Sequence, residues 1–98
     1  MALSSSEVFR NLIYLDVSHN HLGENGAHIL SVSNFVTQLR YLNIIHNKIG
    51  DIGCKCIAES ESFPMLTDLM IYSGNNINSE AKKLIHRSKK LRSLNHIE

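Results

Sequence analysis

The chain has 98 residues, of which 43% are hydrophobic, a single proline and a formal net charge of +1. This length suits one small domain, and the composition is that of a folded protein rather than of a disordered or linker-like chain. The near-zero net charge excludes a global field that would select an acidic or a basic partner. No apolar run approaches the ~18 residues of a membrane span, and the opening MALSSSEVFR lacks the basic start and apolar block of a secretory signal.

Three predicted strands recur at a spacing of 27 residues. The segments LIYLDVSHNHL, LRYLNIIHNKI and LTDLMIYSGNNI begin at Leu12, Leu39 and Leu66. In the first segment Leu15 and Val17 alternate with outward-facing residues, which is the period-two pattern of a strand with one buried face. The residues predicted to fill the core from one side of a parallel sheet are Leu15, Val17, Leu42, Ile44, Leu69 and Ile71.

A helix is predicted after each of the first two strands. The segments LGENGAHIL and IGDIGCKCI carry glycines, an acidic residue and aliphatic residues at the same places. Ala27 and Leu30 lie at helical spacing, and so do Cys54 and Ile57. The small residues that would let a helix approach the sheet closely are Ala27, Cys54 and Ala81.

Asparagine follows the strands at a constant position of the repeat. We predict that the amides of Asn20 and Asn47 turn inward and cap backbone groups where each strand ends. In the third unit an extra residue near Ser73 and Gly74 moves the equivalent asparagine to Asn75. The third unit is therefore predicted to be irregular.

The last eight residues, LRSLNHIE, are predicted to begin a fourth unit. They align through Leu91 with Leu66, which places Ser93 beside Asp68 in the sheet. His96 then stands where the third apolar residue of the repeat is expected. Terminal repeats are often atypical because one side of them faces water, so we expect this end of the array to be degenerate.

The shared pattern, Leu-x-x-Leu-x-Leu-x-x-Asn-x-Leu, resembles the signature of leucine-rich repeats. The second halves of the units share Gly-acid-x-Gly-small-x-x-aliphatic, which is similar to the ribonuclease-inhibitor type of repeat. The resemblance covers nearly the whole chain. It implies an α/β solenoid, an arc with a parallel β-sheet on the concave face and α-helices on the convex face.

The resemblance also implies a division of the chain into units. Residues 1–98 form one leucine-rich-repeat domain, with 1–11 as the tail of a preceding repeat, 12–38 and 39–65 as full repeats, 66–90 as a degenerate repeat and 91–98 as a partial terminal repeat. Two origins stay open: a piece cut from a longer protein, or a short natural chain that begins within a repeat. Ends without a polar cap leave strand groups unpaired, which predicts possible self-association through the repeat ends.

Strand residues that point away from the core would form columns across the concave face. Tyrosine offers a large rigid surface and a hydroxyl group, and it is enriched at interfaces. The alternative is that stacked aromatic side chains only stabilise neighbouring strands. The predicted partner-binding residues are Tyr14, Asp16, Ser18, His19, Tyr41, Asn43, Ile45, His46, Asp68, Met70 and Tyr72.

Metal and catalytic chemistry find little support in the sequence. His19, His21 and His46 are close on the repeat map, but no cysteine or carboxylate completes the three or four ligands that zinc needs. No Gly-rich phosphate loop, nucleophile elbow or pair of carboxylates is present. We predict no metal, no cofactor, no catalytic residue and no enzymatic activity.

Cysteine usage bears on the cellular compartment. Cys54 and Cys56 are two residues apart, and on a helix this spacing points their side chains to different sides. Two unpaired thiols without a secretory signal favour the reducing cytoplasm.

The plainer interpretation of the basic stretch AKKLIHRSKKLR, residues 81–92, is a solvated outer helix. No aromatic residues interleave its charges, so binding to nucleic acid or to an anionic membrane is the less favoured alternative. The resemblance implies a protein-protein interaction module that binds a partner protein. Two further alternatives stay open. One is a fragment or targeting arm of a larger cytosolic sensor, inhibitor or bacterial effector, including one linked to a ubiquitin ligase; the other is a self-assembling repeat segment.

Overall fold

Strands and helices alternate along the chain, as the repeat predicts. The computed structural model describes residues 12–34 and 36–98, so the predicted tail at residues 1–11 lies outside the described residues. The elements in chain order are β1 (Tyr14–Asp16), α1 (Gly23–Ser31), β2 (Tyr41–Asn43), α2 (Gly50–Ala58), β3 (Asp68–Met70), α3 (Ser79–Arg87) and β4 (His96–Ile97).

The four strands form one parallel sheet in the order β1-β2-β3-β4. Tyr14 pairs with Tyr41, and Tyr41 pairs with Asp68, so the sequence period of 27 residues is also the register of the first three strands. Helices α1 and α2 pack together, and so do α2 and α3. The predicted fold class is confirmed: the chain is an α/β solenoid with a sheet on its concave face and helices on its convex face.

The core lies between the sheet and the helices. Leu42, Ile44, Leu69 and Ile71 are fully buried in it, as predicted. Leu15 and Val17 pack against the same core but are only partly buried. The small residues predicted at the contact of helix and sheet, which are Ala27, Cys54 and Ala81, are all buried. These packed layers hold the strands in place and leave the other side of the sheet to solvent.

A ladder of asparagine side chains joins successive repeats. The amide oxygen of Asn47 accepts hydrogen bonds from the backbone N–H groups of Asn20 at 2.8 Å and Leu22 at 3.2 Å. The oxygen of Asn75 in turn accepts from the N–H groups of Asn47 at 2.8 Å and Ile49 at 3.3 Å. Asn47 and Asn75 are fully buried, which confirms the predicted inward capping at Asn47 and the equivalence of Asn75 with Asn47. Asn20 is exposed, so its predicted inward turn is wrong.

The extra residue of the third unit lies one position before the predicted place. The N–H of His19 donates to the carbonyl of Ile45, whereas the N–H of His46 donates to the carbonyl of Ser73, one residue beyond the regular position. Ser73 therefore takes the place of Ile45, and Tyr72 is the inserted residue. The N–H groups of Ile71 and Tyr72 both donate to the carbonyl of Glu98, as expected for a bulge.

The predicted register of the fourth unit is wrong by three residues. Asp68 pairs with His96 rather than with Ser93, and Leu69 pairs with Ile97. The turn before the strand shows the same offset, because the bond from Leu66 N–H to the Phe63 carbonyl recurs between Leu94 and Leu91. Leu91, Leu94 and Ile97 are spaced by three, so the sequence alone offers two alignments; packing against the core selects the later one.

No helix in the described part of the chain is long and apolar enough to cross a membrane.

Candidate protein-binding face

The concave face is formed by strand side chains that point away from the helices. Its first column contains Tyr14, Tyr41, Asp68 and His96, which are paired across the four strands. Its second column contains Asp16, Asn43, Met70 and Glu98. Glu98 belongs there because Ile71 N–H donates to its carbonyl, as Ile44 N–H donates to that of Met70.

Two tyrosines dominate the N-terminal end of this face. The rings of Tyr14 and Tyr41 are stacked, with centroids 4.3 Å apart and planes within 3° of parallel. Tyr14 remains 59% exposed, while Tyr41 is half-buried. The parallel strands hold both rings in register, so the pair is a preorganised aromatic surface.

The side chains of Asp16 and Asn43 accept hydrogen bonds from backbone N–H groups at the strand ends. One carboxylate oxygen of Asp16 accepts from the backbone N–H of Ser18 at 3.0 Å and from its hydroxyl at 2.7 Å. These bonds, the hydroxyl bond first, lower the pKa of Asp16, so this carboxylate stays ionised. Asn43 likewise accepts from the N–H of Ile45 at 3.1 Å. Both side chains are thereby oriented and still reach solvent.

Met70 does not stand on this face as an exposed apolar anchor. Met70 is only 8% exposed, although it lies outside the hydrophobic core cluster. Asp68 beside it is half-buried and accepts from the hydroxyl of Thr67 at 2.7 Å. The predicted exposure of Met70 is therefore wrong, while Asp68 keeps a partly accessible carboxylate.

Tyr72 lies against α3 and not on the concave face. Its hydroxyl is 2.9 Å from Nε2 of His86, and the ammonium group of Lys82 is 5.0 Å from the centre of its ring. Burial raises the pKa of Tyr72. The predicted place of Tyr72 among the outward-facing residues of the concave face is wrong, because the bulge turns this side chain toward the helices.

His96 is a surface residue that the sequence analysis placed incorrectly. It extends the first column next to Asp68, and its Nε2 is 2.9 Å from a carboxylate oxygen of Glu98. The hydrogen bond to Glu98 is the main cause that raises the pKa of His96. The spacing of apolar residues at Leu94 and Ile97 was the signal that could have identified this register.

Four side chains and one glycine form a cleft at the carboxyl ends of the strands, beyond Ser18 and Ile45. It is lined by His19, His21, His46, Lys48 and Gly74 and has a volume of about 240 Å³. The rings of His19 and His46 are stacked with centroids 4.4 Å apart. We call this feature the imidazole cleft; it borders the concave face.

The proximity of these histidines raises the question of metal binding. Within residues 12–34 and 36–98, no group of three or more His, Cys, Asp or Glu side chains is arranged to hold a metal ion.

Carboxylates lie on both sides of the solenoid, whereas the two columns of the concave face contain no lysine or arginine. The concave face carries the carboxylates of Asp16, Asp68 and Glu98. Lys83 of α3 and Lys90, which follows α3, lie on the helical side. Lys83 pairs there with Glu80 at 3.3 Å, and Lys90 pairs with Glu61. These pairs are exposed, so they contribute little to stability. An outer helix with solvated charges agrees with this arrangement.

The fold and the face together define a repeat protein of the α/β solenoid class. The family model described as Leucine Rich repeat matches residues 10–28 and 37–58, which are the strand and helix of two successive units. Over these residues the chain consists of leucine-rich repeats. Leucine-rich repeats generally mediate protein-protein interactions and are typically non-enzymatic binding modules. No curated protein and no solved structure matches this chain.

Proposed function

We propose that this chain binds a partner protein through its concave face. The observation that carries the proposal is the stacked pair of Tyr14 and Tyr41, a rigid aromatic surface at the N-terminal end of the concave face, with Tyr14 exposed and Tyr41 half-buried. Rigid aromatic side chains are frequent anchors of interfaces, because little conformational entropy is lost when a partner covers them. A purely stabilising stack would not require Tyr14 to be 59% exposed.

The charges beside the tyrosines indicate the chemistry of the partner. Asp16, Asp68 and Glu98 lie on the same face, and no lysine or arginine belongs to its two columns. A partner segment with an apolar or aromatic side chain next to lysine or arginine would complement this surface. The tyrosine pair would provide the affinity and the carboxylates the orientation.

We also propose that the repeats are of the ribonuclease-inhibitor type, that the units begin at residues 12, 39 and 66 as predicted, and that the chain works in the cytoplasm. The nine-residue helices α1, α2 and α3 support the first point. Cys54 and Cys56 are both free, which is compatible with a reducing compartment.

The test is partner capture from cell extract with matched variants. Tyr41→Ala should leave the circular dichroism spectrum unchanged. It should weaken the binding free energy of a captured partner by roughly 2 kcal/mol or more, measured by titration calorimetry with the purified partner. The double variant Lys83→Ala, Lys89→Ala on the helical side is the control and should change the affinity far less. If the lysine changes abolish binding while Tyr41→Ala has no effect, the partner binds the outer side and the proposal is wrong.

A further inference from the structure

The imidazole cleft has a composition that sets it apart from the concave face. It is lined by His19 and His46 from one position of two successive repeats, and by His21 and Lys48 from another. All four side chains are exposed, and no hydrogen bond or ion pair within residues 12–34 and 36–98 involves them. Every one of them can present an N–H donor, and each can carry positive charge.

No carboxylate lines this cleft. Asp16 on the concave side interacts electrostatically with His19. Its oxygen is already engaged by the N–H and the hydroxyl of Ser18. The cleft is therefore a local concentration of donors in a chain whose net charge is only +1.

The scaffold does not require these side chains. His19, His21, His46 and Lys48 all have positive φ, between 52° and 61°, because the chain turns tightly on both sides of the asparagine of each repeat. In the third repeat the same two positions are Gly74 and Asn76, residue types that tolerate this conformation well. The backbone thus explains the conformation but not the presence of three imidazoles and an ammonium group.

The absence of a side chain at Gly74 leaves room for the imidazole stack. A Cβ atom at this position would lie 2.1 Å from Nδ1 of His46 and 2.7 Å from its Cα. The ring of His46 therefore lies over the glycine, with the ring of His19 stacked on its other side, 11° from parallel. Both rings are held side by side with their nitrogen edges available.

The stacking geometry favours an anion over a metal ion. A metal bound to an imidazole nitrogen lies close to the plane of that ring. The rings of His19 and His46 are 11° from parallel with centroids 4.4 Å apart, so their planes do not meet near the rings. Parallel N–H groups can instead donate to two different oxygen atoms of one oxyanion. A phosphate group offers several acceptor oxygens and a charge near −2, which suits four potential cations better than a carboxylate does.

We propose that the imidazole cleft binds a phosphate group. His19 and His46 donate to two of its oxygen atoms, and Lys48 and His21 supply additional positive charge from the flanks. This site is separate from the proposed partner-binding function, which rests on the tyrosines and carboxylates of the concave face. The site recognises the phosphate group itself, so inorganic and esterified phosphate present the same chemistry to it.

The proposal is tested by nuclear magnetic resonance titration of the whole chain near pH 6.5, at constant ionic strength. Inorganic phosphate and O-phosphoserine are added in separate arms, which distinguishes a free ion from an ester, and acetate is added in a third. We expect saturable shifts of the His19 and His46 ring signals with phosphate or phosphoserine, and at least several-fold weaker binding of acetate. Lys48→Gln and the pair His19→Asn, His46→Asn should each weaken binding by about three- to five-fold per side chain removed, the scale of an exposed charged contact.

Asparagine is chosen for the histidine variants because it tolerates positive φ. The side chain of Lys48 is exposed. Lys48→Gln therefore serves as the second variant if the histidine changes disturb folding. Lys89→Gln in the basic C-terminal stretch and His28→Gln on α1 are the matched controls and should leave the affinity unchanged. The absence of saturable shifts, equal binding of acetate, or an equal loss in the Lys89→Gln control would each overturn the proposal.

Discussion

At the scale of single residues, the buried asparagines are the most demanding positions of this chain. The side chain of Asn47 satisfies two backbone N–H groups and donates to the carbonyls of Val17, Ile44 and Ile45 at 3.0 to 3.1 Å. Asn47→Ala leaves these buried groups without partners, and each such group costs about 1–3 kcal/mol. We expect the free energy of unfolding in urea to fall by about 3–5 kcal/mol.

Asn20 is the matched control for that substitution, since it holds the same position in the preceding repeat. It is exposed, and its amide donates only to the carbonyls of Val17 and Ser18. Water can replace these bonds, so Asn20→Ala should cost about 1 kcal/mol. Similar losses for the two variants would show that the ladder does not stabilise the fold through burial.

At the scale of elements, β4 is a two-residue strand whose stability should depend on pH. The hydrogen bond to Glu98 raises the pKa of His96 above its usual 6.5, so the folded state favours the protonated imidazole. A raised pKa stabilises the fold fully below pH 6.5, and this contribution disappears as the pH rises through the folded-state pKa. Both side chains are largely exposed, so the effect should be small.

The pH dependence of β4 can be isolated by subtraction. The urea midpoint of His96→Gln should fall below that of the unaltered chain in acid and converge with it at alkaline pH. His28→Gln on α1, which has no carboxylate partner among its hydrogen bonds, should show no such convergence. A difference between His96→Gln and the unaltered chain that grows with pH would contradict the assigned sign.

At the scale of the whole molecule, the C-terminal end of the solenoid offers a surface for association. A cavity of about 390 Å³ lies there, lined by the apolar residues Ile85, Leu91, Leu94 and Ile97 and by the polar residues His86, Ser88, Arg92 and Asn95. Within the described residues no strand pairs with the outer edge of β4. An open edge next to apolar side chains favours pairing with another chain. We therefore expect weak self-association, visible in sedimentation equilibrium as a mass that rises from micromolar to millimolar concentration.

The position of this contact is tested by two charge insertions. Leu94→Lys, in the lining of the end cavity, should keep the chain monomeric at high concentration. Leu84→Lys on the exposed side of α3 is the control and should leave association unchanged, because that side chain is already 41% exposed. A chain that stays monomeric at millimolar concentration would remove the basis for self-assembly.

The period of 27 residues was sufficient to predict the first three strands, their core residues and the inward turn of Asn47, but not the exposure of Asn20. Alternating apolar side chains leave one choice of face for each strand, because a shift by one residue would expose Leu42 and bury Asn43. The pairing of Tyr14 with Tyr41 follows from the same period. These features are local patterns repeated at a constant interval, and such patterns can be recognised without knowledge of tertiary contacts.

Three features depended on contacts between distant parts of the chain. The direction of Tyr72 is decided by α3, which offers His86 and Lys82 to the bulged side chain. The register of β4 is decided by packing, because Leu91 and Leu94 both fit the first position of the motif until the core selects one. The imidazole stack needs two repeats to come together over Gly74. In each case the sequence allows more than one local arrangement, and the energy that selects among them arises only when the repeats pack against each other.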